Sequence, residues 1–205
     1  MSIIEGALNF MHTGFSEHKE LFKNLGESQS PHTLFIGCSD SRVVPSLITS
    51  TLPGELFVVR NIANIVPKYR LNNEYLATTS AIIYAIMVLE VKNIVICGHS
   101  DCGGCAAIYD EKKLESIPSV AHWLEQLDGV KSEILRSDAP FDERGWLTER
   151  LCVLQGMENI RSYPSVSERE RAGTLYIYGW HYIIQTGEVY GYKNGEFTLL
   201  NKEQK

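Results

Sequence analysis

The fold and the chemistry of this chain are both indicated by residues 93–105, N-I-V-I-C-G-H-S-D-C-G-G-C. The segment opens with an apolar run from Ile94 to Cys97, which is typical of a strand buried in a parallel sheet. Gly98 ends the run, and His99 and Cys102 follow at H-x-x-C spacing. If a helix follows the strand, His99 leaves the carboxyl end of the strand and Cys102 lies in the first turn of the helix. An imidazole nitrogen and a thiolate suit zinc, but a third ligand must come from elsewhere in the chain.

A candidate for that third ligand follows the first predicted strand. The segment H-T-L-F-I-G at residues 32–37 reads as a buried strand, and Cys38 comes directly after it. Two parallel strands side by side would bring Cys38 close to His99 and Cys102. Three protein ligands with a fourth position left for water are typical of a catalytic zinc site, whereas structural zinc sites usually have four protein ligands.

Neighbouring residues leave the details of this site open. Cys105 is the one competing thiol, because Cys97 lies inside its strand and is expected to point away from the strand end. Asp40 either ligates the metal or holds a metal-bound hydroxide. Arg42 is expected to form a bidentate pair with the Asp40 carboxylate and to keep it ionised.

Composition narrows the class of protein. The 205 residues, 44% hydrophobic and 21% charged, favour one domain spanning residues 1–205. The net charge of −6 comes without a basic stripe, so neither nucleic acid nor a membrane is an expected partner. The first ten residues lack a basic segment and a long apolar core, and we therefore expect a cytoplasmic protein. Five cysteines in such a chain favour metal binding over a disulfide framework.

The rest of the chain alternates between helix and strand patterns, which predicts an α/β fold with a mostly parallel central sheet flanked by helices. Residues 1–26 carry apolar side chains at helical spacing and end at Gly26, which predicts an N-terminal helical arm packed on its own domain or on a partner subunit. Further elements are predicted as a turn and strand at 52–59, helices at 73–90 (buried), 103–113 and 119–163 (broken near 138–140), and a C-terminal hairpin formed by 175–184 and 187–192.

Two motifs together resemble those of the β-class carbonic anhydrases. They are C-S-D-S-R at residues 38–42 and G-H-S-D-C-G-G at residues 98–104. The resemblance extends over nearly the whole chain and includes P-G-E at 53–55, F-V-V-R-N-I-A-N at 57–64 and G-W-H-Y at 179–182. It implies a zinc enzyme that reversibly hydrates CO₂ to bicarbonate and a proton by means of a zinc-bound hydroxide.

The resemblance also implies a role for individual residues. The zinc ligands would be Cys38, His99 and Cys102, and the catalytic dyad would be Asp40 and Arg42. The substrate-binding residues would be Gln29, Phe57, Ile62, Tyr84 and Gly103, of which Gly103 contributes its backbone N–H. The plant-like subtype has a glutamine nine residues before the first cysteine, where Gln29 stands. The other subtype has a tryptophan three residues before that cysteine, where this chain has Phe35.

The same resemblance implies a homo-oligomer, either a dimer or a tetramer, whose apolar CO₂ pocket is completed across the dimer interface. Two other functions stay open on the sequence alone. One is hydrolysis of CS₂ or carbonyl sulfide on the same scaffold. The other is a non-catalytic, zinc-stabilised interaction module, which requires four protein ligands and no open position.

Overall fold

The structure is a computed structural model that describes residues 1–70 and 76–201. The described residues contain one six-stranded sheet in the order β2-β1-β3-β4-β5-β6. Its strands are β1 (Thr33–Cys38), β2 (Leu56–Asn61), β3 (Asn93–His99), β4 (Tyr176–Tyr182), β5 (Val189–Lys193) and β6 (Glu196–Leu199). The first four strands are parallel, and β5 and β6 are antiparallel additions at one edge. The predicted α/β fold with a mostly parallel sheet is confirmed.

The strand order creates a crevice between β1 and β3. The chain leaves β1 towards β2 on one side, then returns across the sheet to β3 on the other side. β1 and β3 are neighbours with Gly37 opposite Cys97, so that their carboxyl ends lie side by side. Open α/β sheets bind ligands at such a switch in strand order, because the loops that follow the two strands diverge there.

The described residues also contain eleven α-helices. They are α1 (Ile3–Asn9), α2 (Phe15–Glu17), α3 (Lys19–Leu25), α4 (Pro45–Thr49), α5 (Leu76–Met87), α6 (Gly103–Ala107), α7 (Glu111–Glu115), α8 (Pro118–Leu124), α9 (Asp128–Arg136), α10 (Arg144–Arg161) and α11 (Pro164–Arg171). A π-helical turn at Phe10–Gly14 joins α1 to α2, and short 3₁₀ turns occupy Ile62–Asn64, Glu125–Leu127 and Phe141–Glu143. No helix in the described ranges is both long enough and apolar enough to span a membrane.

Two helix predictions need correction. The predicted helix at 103–113 is two helices, α6 and α7, because the Asp110 side chain accepts the Lys113 N–H and begins a new helix. The predicted helix at 73–90 is α5 within the described residues, and residues 73–75 lie outside them. That helix is not buried on all sides, since Tyr84 and Met87 are exposed. The sequence patterns also did not predict α4, α11 or β6.

The main core lies between one face of the sheet and α10. Glycines in β3 and β4 allow α10 to approach the sheet closely. A Cβ on Gly98 in β3 would lie 2.8 Å from Val153 Cγ2, and one on Gly179 in β4 would meet Met157 and Val153. Buried aliphatic side chains fill the same layer, among them Leu34, Ile36, Ile82, Ile94, Ile96 and Ile160. α10 is thereby fixed against the strands whose ends carry the candidate ligands.

The predicted N-terminal helical arm is present as α1 to α3. A stack of phenylalanine rings links its turns: Phe15 and Phe22 stack at 5.5 Å, and Phe10 meets both rings edge-on. Many of its apolar side chains face solvent in the single chain, with Ile3, Ile4 and Met11 more than half exposed. None of the residues of the three arm helices is buried.

Candidate metal centre

Three side chains converge in the crevice between β1 and β3. Cys38 is the last residue of β1, His99 is the last residue of β3, and Cys102 is the N-cap of α6. All three are buried, and one ligand atom from each lies within 4.8 Å of the other two. The two sulfur atoms are 3.9 Å apart. Two thiolates bound tetrahedrally to one zinc at 2.3 Å would be about 3.8 Å apart, so the spacing fits that metal.

The imidazole of His99 is oriented for metal binding. Its Nδ1 lies 2.9 Å from the carbonyl oxygen of Ser100, to which it can only donate, and this contact fixes the neutral tautomer with a lone pair on Nε2. Nε2 is buried and has no hydrogen-bond partner among the described residues. A buried polar atom without a partner is rare in proteins, and a metal ion would satisfy it.

The two thiols also fit a cation between them. Hydrogen bonding to the Cys102 thiol, followed by burial, raises the pKa of Cys38 to about 12. Hydrogen bonding to Cys105, together with burial, raises the pKa of Cys102 to about 12. Two buried thiolates side by side repel one another, and a metal cation removes this penalty by displacing both protons.

The remaining cysteines lie outside this group. Cys97 packs on the other face of the sheet with Phe35 and Val95, in agreement with the prediction that it points away from the strand end. The Sγ atom of Cys105, the competing thiol, lies 3.6 Å from that of Cys152. All five cysteines are buried free thiols. Among the described residues, Cys38, His99 and Cys102 form the one set of three metal-binding side chains, and no fourth side chain joins it.

Asp40 and Arg42 form the bidentate pair that the sequence predicts. Arg42 Nε donates to Asp40 Oδ1 at 2.9 Å, and Arg42 Nη2 donates to Oδ2 at 2.8 Å. The backbone N–H of Arg42 also donates to Oδ1. These Arg42 hydrogen bonds hold the pKa of the Asp40 carboxyl well below its usual range. Asp40 Oδ2 lies 4.0 Å from His99 Nε2, so an ionised carboxylate borders the candidate metal position.

Three residues with positioning contacts, Arg60, Gln185 and Glu149, were not predicted from the sequence. Arg60 in β2 donates to the carbonyl oxygens of Cys38 (2.9 Å) and Asp40 (2.6 Å), which ties the loop after β1 to the next strand. Gln185 donates to the Asp101 carboxylate and accepts from the Ser100 hydroxyl. Glu149 in α10 accepts the Cys102 N–H at 3.0 Å. The partners are separated by tens of residues in sequence, so only local hints were available, such as the arginine at the end of the apolar run 56–60.

The described contacts bring the predicted substrate residues together in part: Phe57 pairs with Tyr84, and Ile62 lies beside Gly104, next to Gly103. The Phe57 and Tyr84 rings stack with centroids 6.0 Å apart. Ile62 packs against the backbone at Gly104, where an added Cβ would lie 2.8 Å from Ile62 Cγ2. A Cβ on Gly103 would meet no described heavy atom within 4 Å, so the helix start beside Cys102 is open. Gln29 is exposed in the loop between α3 and β1.

The protein family described as carbonic anhydrase matches residues 33–189, which include all three candidate ligands. The carbonic anhydrase of Helicobacter pylori strain J99 is 44% identical over 198 residues, covering 94% of this chain and 90% of the relative. The structure of the β-carbonic anhydrase CcaA superimposes with a TM-score of 0.92 at 35% identity, covering 98% of this chain and 91% of that chain.

This chain belongs to the β-class carbonic anhydrases. It is an enzyme for the reversible hydration of CO₂. The carbonic anhydrase of Pseudomonas aeruginosa is 39% identical over 196 residues, covering 91% of this chain and 84% of that relative. A chain from the crystal structures of two tetrameric β-carbonic anhydrases of Sordaria macrospora superimposes with a TM-score of 0.80 at 31% identity. The match covers 95% of this chain and 96% of that chain.

Proposed function

We propose that this carbonic anhydrase hydrates CO₂ at one zinc ion per chain, held by Cys38, His99 and Cys102. The observation that carries the proposal is the convergence of these three ligand atoms within 4.8 Å of one another, one of them a buried imidazole nitrogen with no hydrogen-bond partner among the described residues. The ligand set of two thiolates and one imidazole is typical of zinc. Three protein ligands leave the fourth position for the reaction, which argues against the interaction-module alternative.

The chemistry of the reaction can be divided between metal and protein. When bound, zinc lowers the pKa of coordinated water to about 7 and so supplies hydroxide at neutral pH. Asp40, kept ionised by Arg42, would accept a hydrogen bond from the O–H of this hydroxide and so orient it towards CO₂. The Gly103 N–H and the Gln29 side chain bind the oxygens of the bicarbonate that forms.

The substrate pocket is proposed to be apolar and shared between subunits. Phe57, Ile62 and Tyr84 would line it, and Tyr84 is 44% exposed in the single chain, as expected of a side chain that faces a partner subunit. Exposed apolar residues of the N-terminal arm favour the same homo-oligomer, a dimer or a tetramer. Gln29 in the pocket would assign the chain to the plant-like subtype.

The proposed location is the cytoplasm. The candidate centre needs Cys38 and Cys102 as reduced thiols, and the other three cysteines are free as well. Reducing compartments maintain that state, whereas oxidising ones promote disulfides.

The proposal is tested by metal analysis combined with a stopped-flow assay of CO₂ hydration on the purified protein. We expect one zinc per chain, and activity that is lost on chelation and restored by zinc. Hydrolysis of carbonyl sulfide is assayed in parallel, because it is the alternative on the same scaffold. A protein that carries zinc and hydrolyses carbonyl sulfide but does not hydrate CO₂ would overturn the proposed substrate, and a protein that binds no zinc would overturn the proposed centre.

A further inference from the structure

A buried carboxylate lies directly behind one of the three candidate ligands. Glu149 projects from α10 and is 4% exposed. Its Oε1 accepts the backbone N–H of Cys102 at 3.0 Å. Burying a carboxyl group is unfavourable unless each of its oxygens finds a hydrogen-bond partner, so the contacts of Glu149 must offset the loss of water.

The second carboxylate oxygen is satisfied by a buried histidine. His181 in β4 is 1% exposed, and its Nε2 lies 2.9 Å from Glu149 Oε2. A deprotonated carboxylate can only accept, so Nε2 carries a proton and donates. One side chain from α10 thereby links Cys102, at the start of α6, to the middle of β4.

A contact to the other ring nitrogen, Nδ1, determines the tautomer of His181. Arg150 Nε donates to His181 Nδ1 in a long hydrogen bond of 3.5 Å, which requires a lone pair on Nδ1. The Arg150 guanidinium is itself held between aromatic rings, 4.6 Å from the centroid of Trp146 and 5.2 Å from that of Phe197. Arg150 therefore donates to His181, and His181 donates to Glu149. The Glu149 carboxylate, which accepts from His181, also accepts from the Cys102 N–H.

We infer that Glu149, oriented by His181, is a positioning residue that fixes the backbone of Cys102 so that its sulfur stays directed at the metal. This inference rests on the proposed zinc centre. Cys102 is the N-cap of α6, and its backbone N–H precedes the helix and has no place in the helical hydrogen-bond pattern. Without Glu149 as its acceptor, the peptide unit that precedes Cys102 would lose this restraint, and its rotation would shift the sulfur away from Cys38 and His99.

Glu149→Gln is the sharpest variant because it changes almost nothing in shape. The amide oxygen can still accept from Cys102, but the amide NH₂ then faces the Nε2–H of His181, donor against donor. A change of His181 tautomer would relieve this clash only by placing an N–H opposite Arg150, again donor against donor. The variant is therefore expected to weaken one of three hydrogen bonds: the one from Cys102 to residue 149, the one between residue 149 and His181, or the one from Arg150 to His181.

The test measures zinc affinity of the folded, full-length protein by competition with a chelator, together with the cobalt(II) absorption spectrum of the cobalt-loaded protein. Loss of an outer partner of a metal ligand typically weakens metal binding about 10- to 100-fold, and we expect this for Glu149→Gln. We also expect a changed cobalt–thiolate band. The matched control is Thr148→Val, which alters a fully buried polar side chain on the same helix that bonds to Tyr109 rather than to Cys102. It is expected to leave the affinity and the spectrum unchanged.

A second pair of variants keeps the inference testable if Glu149→Gln does not fold. His181→Leu removes the donor to Glu149 and should weaken zinc binding, whereas His181→Gln retains an amide donor and should restore much of the affinity. Equal zinc affinity in wild type, Glu149→Gln and His181→Leu, with unchanged cobalt spectra, would overturn the positioning role. If instead the wild-type protein binds no zinc, or Cys102→Ser binds it as tightly as wild type, the proposed centre itself is wrong.

Discussion

At the scale of single residues, the site consists of three metal-binding atoms and the hydrogen bonds that hold them. Cys38, His99 and Cys102 could be predicted from the sequence because each follows a short apolar run at a recognisable spacing. Arg60 and Glu149 could not, since their partners lie twenty or more residues away and nothing local indicates which strand end they face. Their roles depend on tertiary packing that the motifs do not encode.

Replacing Asp40 tests the role of the dyad. Asp40→Asn should retain zinc, because Asp40 is paired with Arg42 and does not join the three-ligand set. It should lose CO₂ hydration by about 100-fold or more, the usual contribution of a positioned proton acceptor. The measurement is kcat/KM by stopped flow, with zinc content determined on the same sample. Asp138→Asn, at an exposed position, serves as the control.

The direction of the Asp40 pKa shift predicts how the activity lost in Asp40→Asn depends on pH. Hydrogen bonds from Arg42 lower the pKa of Asp40, so the carboxylate is ionised at every pH above its ordinary value of about 4. The ratio of wild-type to Asp40→Asn activity should therefore be constant between about pH 6 and 9. A variant with unaltered kcat/KM across this range would exclude the proposed role of Asp40.

At the scale of secondary-structure elements, the site depends on how closely α10 approaches β3. The apolar runs and the order of helices and strands were predictable from periodicity, and so was the break near 138–140. The division of 103–113 into α6 and α7 was missed because a single capping residue, Asp110, outweighs continuous helix propensity. The edge strand β6 was missed because it is short and pairs on one side only.

A glycine substitution tests the close approach of α10. Gly98→Ala places a methyl group 2.8 Å from Val153 Cγ2 and 3.2 Å from the Glu149 carbonyl oxygen. It should lower the free energy of unfolding by about 1–3 kcal/mol, as over-packing of a core does. The measurement is urea denaturation of the metal-free protein, so that metal binding does not contribute.

Gly129→Ala is the matched control for that substitution. A Cβ at Gly129 meets no described heavy atom within 4 Å, and the residue lies inside α9. Replacing glycine by alanine within a helix stabilises it by about 0.5–1 kcal/mol, so this variant should unfold at a higher urea concentration. Equal stability of Gly98→Ala and wild type would mean that α10 and β3 are less tightly packed than described.

At the scale of the whole molecule, the single chain leaves a large apolar surface uncovered. The N-terminal arm exposes Ile3, Ile4, Leu8 and Met11, and the face of α5 exposes Tyr84 and Met87. The helical arm itself was predictable from its apolar spacing, but what covers it was not, because a helix packed on its own domain and one packed on a partner have the same pattern. Exposed apolar side chains in such number are typical of a surface that binds a partner.

Deleting residues 1–24 tests whether this surface holds subunits together. Wild type should have the mass of a dimer or a tetramer, whereas the truncated protein should be a smaller species with much reduced CO₂ hydration, because the pocket near Phe57 and Tyr84 would lack its partner. Mass is measured by light scattering, and zinc content and activity on the same fractions. Leu135→Ser, which alters an exposed leucine on α9, controls for loss of surface hydrophobicity in general. A folded, zinc-loaded monomer with wild-type activity would contradict the shared pocket.

Zinc content across a series of cysteine variants tests the central claim most directly. Cys38→Ser and Cys102→Ser should each lose zinc and CO₂ hydration together, because both sulfurs belong to the three-ligand set. Cys97→Ser replaces an equally buried thiol on the opposite face of the sheet and should keep one zinc per chain and full activity. Full zinc occupancy and activity in Cys102→Ser, with loss of both in Cys105→Ser, would contradict the account and move the ligand to Cys105.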